Sequence, residues 1–257
     1  MRKKFILFLW IALATSVVVV GVVFCLIWNG VIGYMPDMKD LQNPISRFAT
    51  QIYSSDGKVL GTWNINKSNR IPVAYSNLSP HLVHALVATE DARFYEHSGI
   101  DFYAVGRAVV KRGLLGHTSA GGGSTITQQL AKQLYSHPVK STAERLFQKP
   151  IEWVIAIKLE RYFTKEEIIA LYLNYFDFLH GAVGIKTAAQ TYFNKEPKDL
   201  TILESATLIG LCKNPSLFNP VRFPDRCKDR RNVVLAQMEK AGYLTSGACE
   251  KLPCDSL

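Results

Sequence analysis

Residues 5–28 form an unbroken run of uncharged, mostly apolar side chains, and the first charge after it is Asp37. About 20 apolar residues in a helix cross the hydrocarbon core of a bilayer, so this run ties one end of the chain to a membrane. A cleavable signal peptide has an apolar core of only about 7–15 residues, closed by small side chains. Here Phe24, Cys25, Leu26, Ile27 and Trp28 carry the run on, so an uncleaved anchor is expected. Arg2, Lys3 and Lys4 precede it, which puts the N-terminus in the cytoplasm and the body outside.

The rest of the 257-residue chain, 48% hydrophobic overall, suits one globular domain. Its net charge of +9 asks for anionic partners. The anchor argues against nucleic acid, whereas anionic headgroups or a pyrophosphate-linked lipid fit, each basic residue near such a surface gaining roughly 1 kcal/mol. A merely solvated basic face is the plainer alternative. The five cysteines, Cys25, Cys212, Cys227, Cys249 and Cys254, have no paired ligand spacing and no accompanying histidines, which argues against zinc. An extracytoplasmic location permits disulfides, but the sequence does not give their pairing.

The expected organisation is a cytoplasmic basic tail (1–4), an anchor (5–28), a linker (29–48) and a domain (49–257). Residues 49–63 alternate in two β-rich arms around Asp56-Gly57, a hairpin signal. Beyond Pro80 the apolar spacing becomes helical, over 81–90 and then through 143–173. Thr164 followed by Glu167 reads as a capping box. Residues 102–115 mix Phe102, Val105, Val109, Val110, Leu114 and Leu115 with Arg107, Lys111 and Arg112. That pattern suits a core helix with a basic face or a helix lying on a membrane.

Two segments carry the chemistry. One is Glu90-Asp91-Ala-Arg-Phe94-Tyr-Glu-His97-Ser-Gly99; the other is Gly121-Gly-Gly-Ser124-Thr125-Ile-Thr-Gln128-Gln129-Leu-Ala-Lys132. A third follows, Gln148-Lys149-Pro-Ile-Glu152 through Ala156 to Leu159-Glu160, and a fourth runs from Arg161 to Asn174. Together they resemble the signature motifs of the family 51 peptidoglycan glycosyltransferases, the module of monofunctional glycan polymerases and class A penicillin-binding proteins. The resemblance spans roughly residues 45 to 245. It implies a mainly α, lysozyme-like glycosyltransferase domain with a membrane-associated jaw near 102–115, a small β-hairpin region before it and one N-terminal transmembrane helix.

The implied reaction is inverting polymerisation of lipid II, with release of undecaprenyl pyrophosphate. Such a transfer needs a base for the acceptor hydroxyl and positive charge for the leaving group; a positioned carboxylate base contributes typically 10²–10⁴-fold. By resemblance Glu90 is that base and Glu152 the second catalytic carboxylate, holding the leaving group directly or through a cation. Asp91 is expected to accept hydrogen bonds that order the site, and His97 to pack and hydrogen-bond. Ser124 or Thr125 can cap a helix whose free N–H groups could bind an anion. Gln128 and Gln129 could hydrogen-bond sugar or phosphate oxygens, and Lys132 would add charge. No Lys-Ser/Thr follows the glycines at P-loop spacing. Lys149 and Glu152 share a helix face, and by resemblance Lys149 contacts the pyrophosphate. Gln148 stands where the motif usually has Arg, so the leaving-group site is expected either to be weaker or to recruit Arg145 from the preceding turn. Pro150 suggests a helix start or kink.

No cofactor is obligatory in this reading, a divalent cation such as Mg2+ being an optional assistant without a dedicated cage. Expected partners are lipid II, the growing lipid-linked glycan, membrane lipids and other cell-wall synthesis proteins. The expected location is the bacterial cytoplasmic (inner) membrane, single-pass, with the catalytic domain extracytoplasmic. Two other readings stay open: a lytic or lysozyme-type enzyme, whose glutamate protonates a glycosidic oxygen, and an inactive anchored scaffold. Ser55 and Lys58 match a Ser-x-x-Lys pattern, but in a hairpin turn and without the companion transpeptidase elements, so the match is read as coincidence.

Overall fold

The computed structural model describes residues 2–33, 35–36, 50–56, 59–63, 70–108, 110, 123–135 and 142–245. The first helix, α1 (Arg2–Trp28), includes a 26-residue stretch, Lys3–Trp28, with an 18-residue window of mean hydropathy 2.7, long and apolar enough to cross a membrane. Strands β1 (Thr50–Tyr53) and β2 (Val59–Trp63) then pair antiparallel, Thr50 facing Trp63 and Ile52 facing Gly61, with a register shift at Tyr53. The hairpin is present, but Asp56 belongs to a connection longer than the two-residue turn that Asp-Gly usually marks.

The rest of the described chain is helical, which establishes the mainly α class. Helix α2 (Pro80–Glu90) opens with proline in its first turn, where its missing N–H costs nothing. Ser79, just before it, donates to the Leu200 carbonyl (2.9 Å). After the short α3 (Phe102–Ala108) come α4 (Ile126–Tyr135), α5 (Thr142–Tyr162), α6 (Lys165–Tyr175), α7 (Ile185–Phe193), α8 (Ile202–Lys213) and α9 (Pro224–Lys240). Capping boxes begin α6, from Thr164 and Glu167, and α8, from Thr201 and Glu204. Each satisfies two backbone donors that would otherwise lack a partner.

Pro150 neither starts nor ends a helix: α5 runs through it. A proline inside a helix removes one ladder hydrogen bond, so tertiary packing holds α5 together there. Ile155, Ala156 and Leu159, all buried, supply that packing. The core joins α2, α8 and α9 on one side to α4, α5 and α6 on the other. Leu82, Leu86, Leu130, Leu159, Ile168, Leu173, Leu208 and Val234 are fully enclosed within it. Buried Asn174 accepts from Val73 N (3.0 Å) and donates to Val73 O (2.9 Å), fastening the segment that leads into α2.

Helix α1 does not part from the domain at Trp28. Its last turns lie on α5: Phe24 stacks on Trp153 (6.3 Å, 18°), Ile27 is fully buried, and Lys158 donates to the Trp28 carbonyl (3.1 Å). Lys158 and Arg161 both place cations over the Trp28 ring, at 4.9 and 5.0 Å. Gly33, in the expected linker, abuts Ile151. Residues 37–48 of that linker, Lys111, Arg112, Leu114, Leu115, Gly121, Gly122, Cys249 and Cys254 lie outside the described residues. Cys212 and Cys227 are buried free thiols.

Candidate active site

The first two motifs meet where α2 ends and α4 begins. Helix α2 stops at Glu90, and Asp91 turns inward with its carboxylate on two donors. Ile126 N, the first residue of α4, donates to its Oδ2 (3.1 Å), and His97 Nε2 lies 3.1 and 3.0 Å from its two oxygens. A carboxylate at a helix start is favoured by the partial positive charge there. Thr125 completes the junction. Its Oγ1 accepts from Gln128 N (3.2 Å) and donates to the Gly99 carbonyl (2.7 Å). The helix start expected to bind a substrate anion is thus largely taken by the protein's own Asp91 and Thr125.

Gly99 is the residue that lets this junction close. Its φ is +91°, and a β-carbon there would lie 2.9 Å from the backbone of Ala156 in α5. Only glycine combines that torsion with that approach. Its carbonyl takes the Thr125 hydroxyl and also the Gln128 Nε2 (3.1 Å).

Glu90 itself faces a cleft of about 740 Å³ lined by the end of α2, α3, the start of α4, Lys213 of α8 and one face of α9. Its Oε2 accepts from Gln129 Nε2 (2.9 Å), and its Oε1 lies 3.9 Å from the Arg230 guanidinium. Five cations line the cleft, Arg93, Arg107, Lys213, Arg230 and Lys240, against three carboxylates, Glu90, Asp91 and Asp101. One of the three is already neutralised within the protein: Arg93 Nε donates to Asp101 Oδ2 (3.0 Å). Burial works against the Asp101 charge, but the Arg93 hydrogen bond and the Ala104 N–H outweigh it and hold its carboxyl below the usual range. Burial pulls the Arg230 guanidinium below its ordinary value, partly offset by Glu90.

A second recess, about 340 Å³, shares Ala108, Gly123 and Ser124 with the cleft and is otherwise walled by Val105, Gln128, Lys149 and Trp153. Lys149 Nζ bridges Ser124 Oγ (3.1 Å) and Glu152 Oε2 (2.6 Å). The third motif is thereby joined to the second. A larger groove of about 1170 Å³ runs along the starts of α2 and α8 and the end of α7. It holds none of the carboxylates singled out from the motifs, so size does not decide the site.

The structure brings Glu90, Asp91, Ser124, Thr125 and Gln129 to the cleft, and Ser124, Gln128 and Lys149 to the recess. Gln128 departs from expectation. It is 1% exposed, and its Nε2 donates to the Gly99 carbonyl, so that donor ties two motifs together while its Oε1 has no hydrogen-bond partner in the structure. Glu152 is 3% exposed and lines neither space; its visible partner is Lys149. Lys132 is exposed on α4 and also lines neither. The Arg145 side chain lies outside the described residues.

The cations from α9 and from Lys213 were not anticipated. Arg230, Val233, Gln237 and Lys240 recur at spacings of three and four, one face of a helix, and that periodicity was the available signal. Nothing in the sequence says which distant helix that face meets. Among the described residues no group of three or more His, Cys, Asp or Glu side chains could hold a metal ion.

Comparison with known proteins gives this arrangement its class. The family described as Transglycosylase matches residues 56–239, and the chain belongs to it. Penicillin-binding protein 1A of Escherichia coli (strain K12) is 42% identical over 211 residues, which are 82% of this chain and 24% of that protein. Penicillin-binding protein 1F of Bacillus subtilis (strain 168) is 38% identical over 246 residues, 95% of this chain and 32% of the relative. The chain therefore spans about a quarter to a third of the length of these relatives. Crystalline penicillin-binding protein 1A from Haemophilus influenzae aligns with a TM-score of 0.40 and 24% identity over 80% of this chain and 20% of its own.

Proposed function

We propose that the chain is a peptidoglycan glycosyltransferase that polymerises lipid II, with the growing lipid-linked strand as donor and lipid II as acceptor. The observation that carries the reading is Glu90, set at the rim of a cleft with more cations than carboxylates, in a chain of the transglycosylase family. Glu90 takes the proton from the acceptor hydroxyl as that oxygen attacks the donor's anomeric carbon from the face opposite the pyrophosphate, which inverts the centre. Both oxygens of Glu90 face donors, Gln129 and Arg230. That setting suits a carboxylate receiving a proton better than a carboxylic acid giving one, which separates this reading from a lytic enzyme.

The pyrophosphate leaves toward Lys149 and Ser124, with Glu152 fixing the lysine from beneath. Asp91 orders the start of α4 and does not touch substrate. Helix α1 spans the cytoplasmic membrane with its basic end inside and the domain outside, and the exposed Phe102, Tyr103 and Val110 lie toward membrane lipids. Other cell-wall synthesis proteins are further partners on this reading.

The test is glycan synthesis from labelled lipid II by detergent-purified protein, beside Glu90→Gln and Glu152→Gln. Long strands from the wild type and a loss of about 10²-fold or more in folded Glu90→Gln are expected. Failure of the wild type to make strands under varied lipid and cation conditions would sink the proposal, and cutting of preformed glycan would replace it with the lytic reading.

A further inference from the structure

Tyr172 sits on α6 in the fourth motif, a segment otherwise concerned with scaffolding. Its ring is fully buried, and packing alone asks for no hydroxyl there. The hydroxyl nevertheless lies 3.1 Å from Gln129 Oε1, and the other end of that same carboxamide lies 2.9 Å from Glu90 Oε2. A carboxamide has an acceptor end and a donor end, so whatever binds one end decides what the other presents. We propose that Tyr172 is a positioning residue for Glu90, acting through Gln129: the phenol donates to Oε1, which turns Nε2 toward the carboxylate. This rests on Glu90 being the base of the polymerisation proposed above.

The phenol is a dependable donor. Burial pushes its pKa well above the usual value, with the Cys212 thiol and Glu90 adding to the effect, so it keeps its proton throughout the working range. Cys212, buried on α8, donates to the Leu208 carbonyl (3.6 Å) and also hydrogen-bonds the Tyr172 hydroxyl, its sulfur being a second and weaker acceptor beside Gln129 Oε1. The other groups around Glu90 cannot do the same orienting. Arg230 from α9 stands 3.9 Å from the opposite oxygen. Neighbouring Asp91 is turned to His97 and Ile126 N. Without the phenol, the carboxamide loses the bond that fixes its Oε1, so its Nε2 is held less firmly against the carboxylate and the Glu90 side chain gains freedom to swing within the cleft.

The experiment uses the full chain and the isosteric variant Tyr172→Phe. In the lipid II assay, the acidic limb of the pH–rate profile is expected to move up by about one pH unit, about tenfold in rate on that limb, with the melting temperature read in parallel. Gln129→Met should move the limb equally, and the double variant no further, because the two residues act as one unit. An infrared titration of the Glu90 carboxyl band, identified by difference against Glu90→Gln, reads the same proton without any substrate. If that band moves in Tyr172→Phe while even the wild type polymerises nothing, the relay stands and the polymerase reading falls. If band and limb stay put in a folded Tyr172→Phe, Tyr172 only packs and the proposal is overturned. Should Tyr172→Phe not fold, an unmoved band in Gln129→Met overturns it as well.

Discussion

Asp91 is the sharpest place to separate structure from chemistry, because it neighbours the proposed base and lines the same cleft, yet its carboxylate is already held by Ile126 N and His97. Replacing it by alanine removes an acceptor from Ile126 N and from His97 Nε2, and a negative charge from the start of α4. A hydrogen bond to a charged group contributes about 1.5–3 kcal/mol, and a charge at a partly buried helix end up to about 2 kcal/mol. These overlap, since one carboxylate supplies both, so a net loss of about 3 kcal/mol is expected. For a domain of this size each kcal/mol lowers Tm by about 2–4 °C, giving a fall of about 6–12 °C. Asp91→Asn keeps one acceptor and should lose roughly half of that. The assay is thermal unfolding followed by circular dichroism in detergent, with glycan synthesis measured well below the transition. Asp91→Ala that melts like the wild type but makes no glycan would refute the argument, placing the carboxylate on the substrate instead of on α4.

Two further outcomes follow from the same junction. Gly99→Ala should cost at least about 2 kcal/mol, because a side chain is strained at that torsion and its β-carbon meets the Ala156 backbone; a chemical-denaturation midpoint equal to the wild type's would contradict this. Asp101 is held below its usual range in the folded state, so its contribution is present above its unfolded value near 3.9. That contribution fades as pH falls through the lower, folded value. Arg93→Gln should therefore lessen the loss of stability on acidification, and identical acid-unfolding curves for variant and wild type would count against the pairing.

What could be read in the sequence divides along physical lines. The long apolar first helix was legible because it is a matter of length and polarity, and the Thr164 cap because a capping box is a local bond pattern. Glu90 and Asp91 stood out by motif, but their opposite orientations did not, since α2 ends between them and only the fold decides which one turns inward. Gln128 and Gln129 look interchangeable as letters. One helical step of about 100° puts Gln128 in the interior on Gly99 and Gln129 on Glu90. Arg230 and Lys213 were invisible as site residues because they reach the cleft by packing of α8 and α9 against α2, a long-range fact. Pro150 does not mark a helix start, because the cost of a proline within a helix can be met by burial of the next two turns.

The contact between Trp28 and the cations of α5 has a mechanical consequence. An anchor joined by slack chain lets its domain drift over the bilayer, whereas one gripped at its last turn behaves as a bent lever. In the membrane orientation proposed above, a bilayer thicker or thinner than α1 is met by a change in helix tilt, and the grip passes that tilt to α5. Lys149 and Glu152, on the same helix as Trp153, Lys158 and Arg161 and within about three turns of them, would be raised or lowered against the headgroups with it. On the proposed reading, membrane thickness would then set the height at which the leaving group meets Lys149.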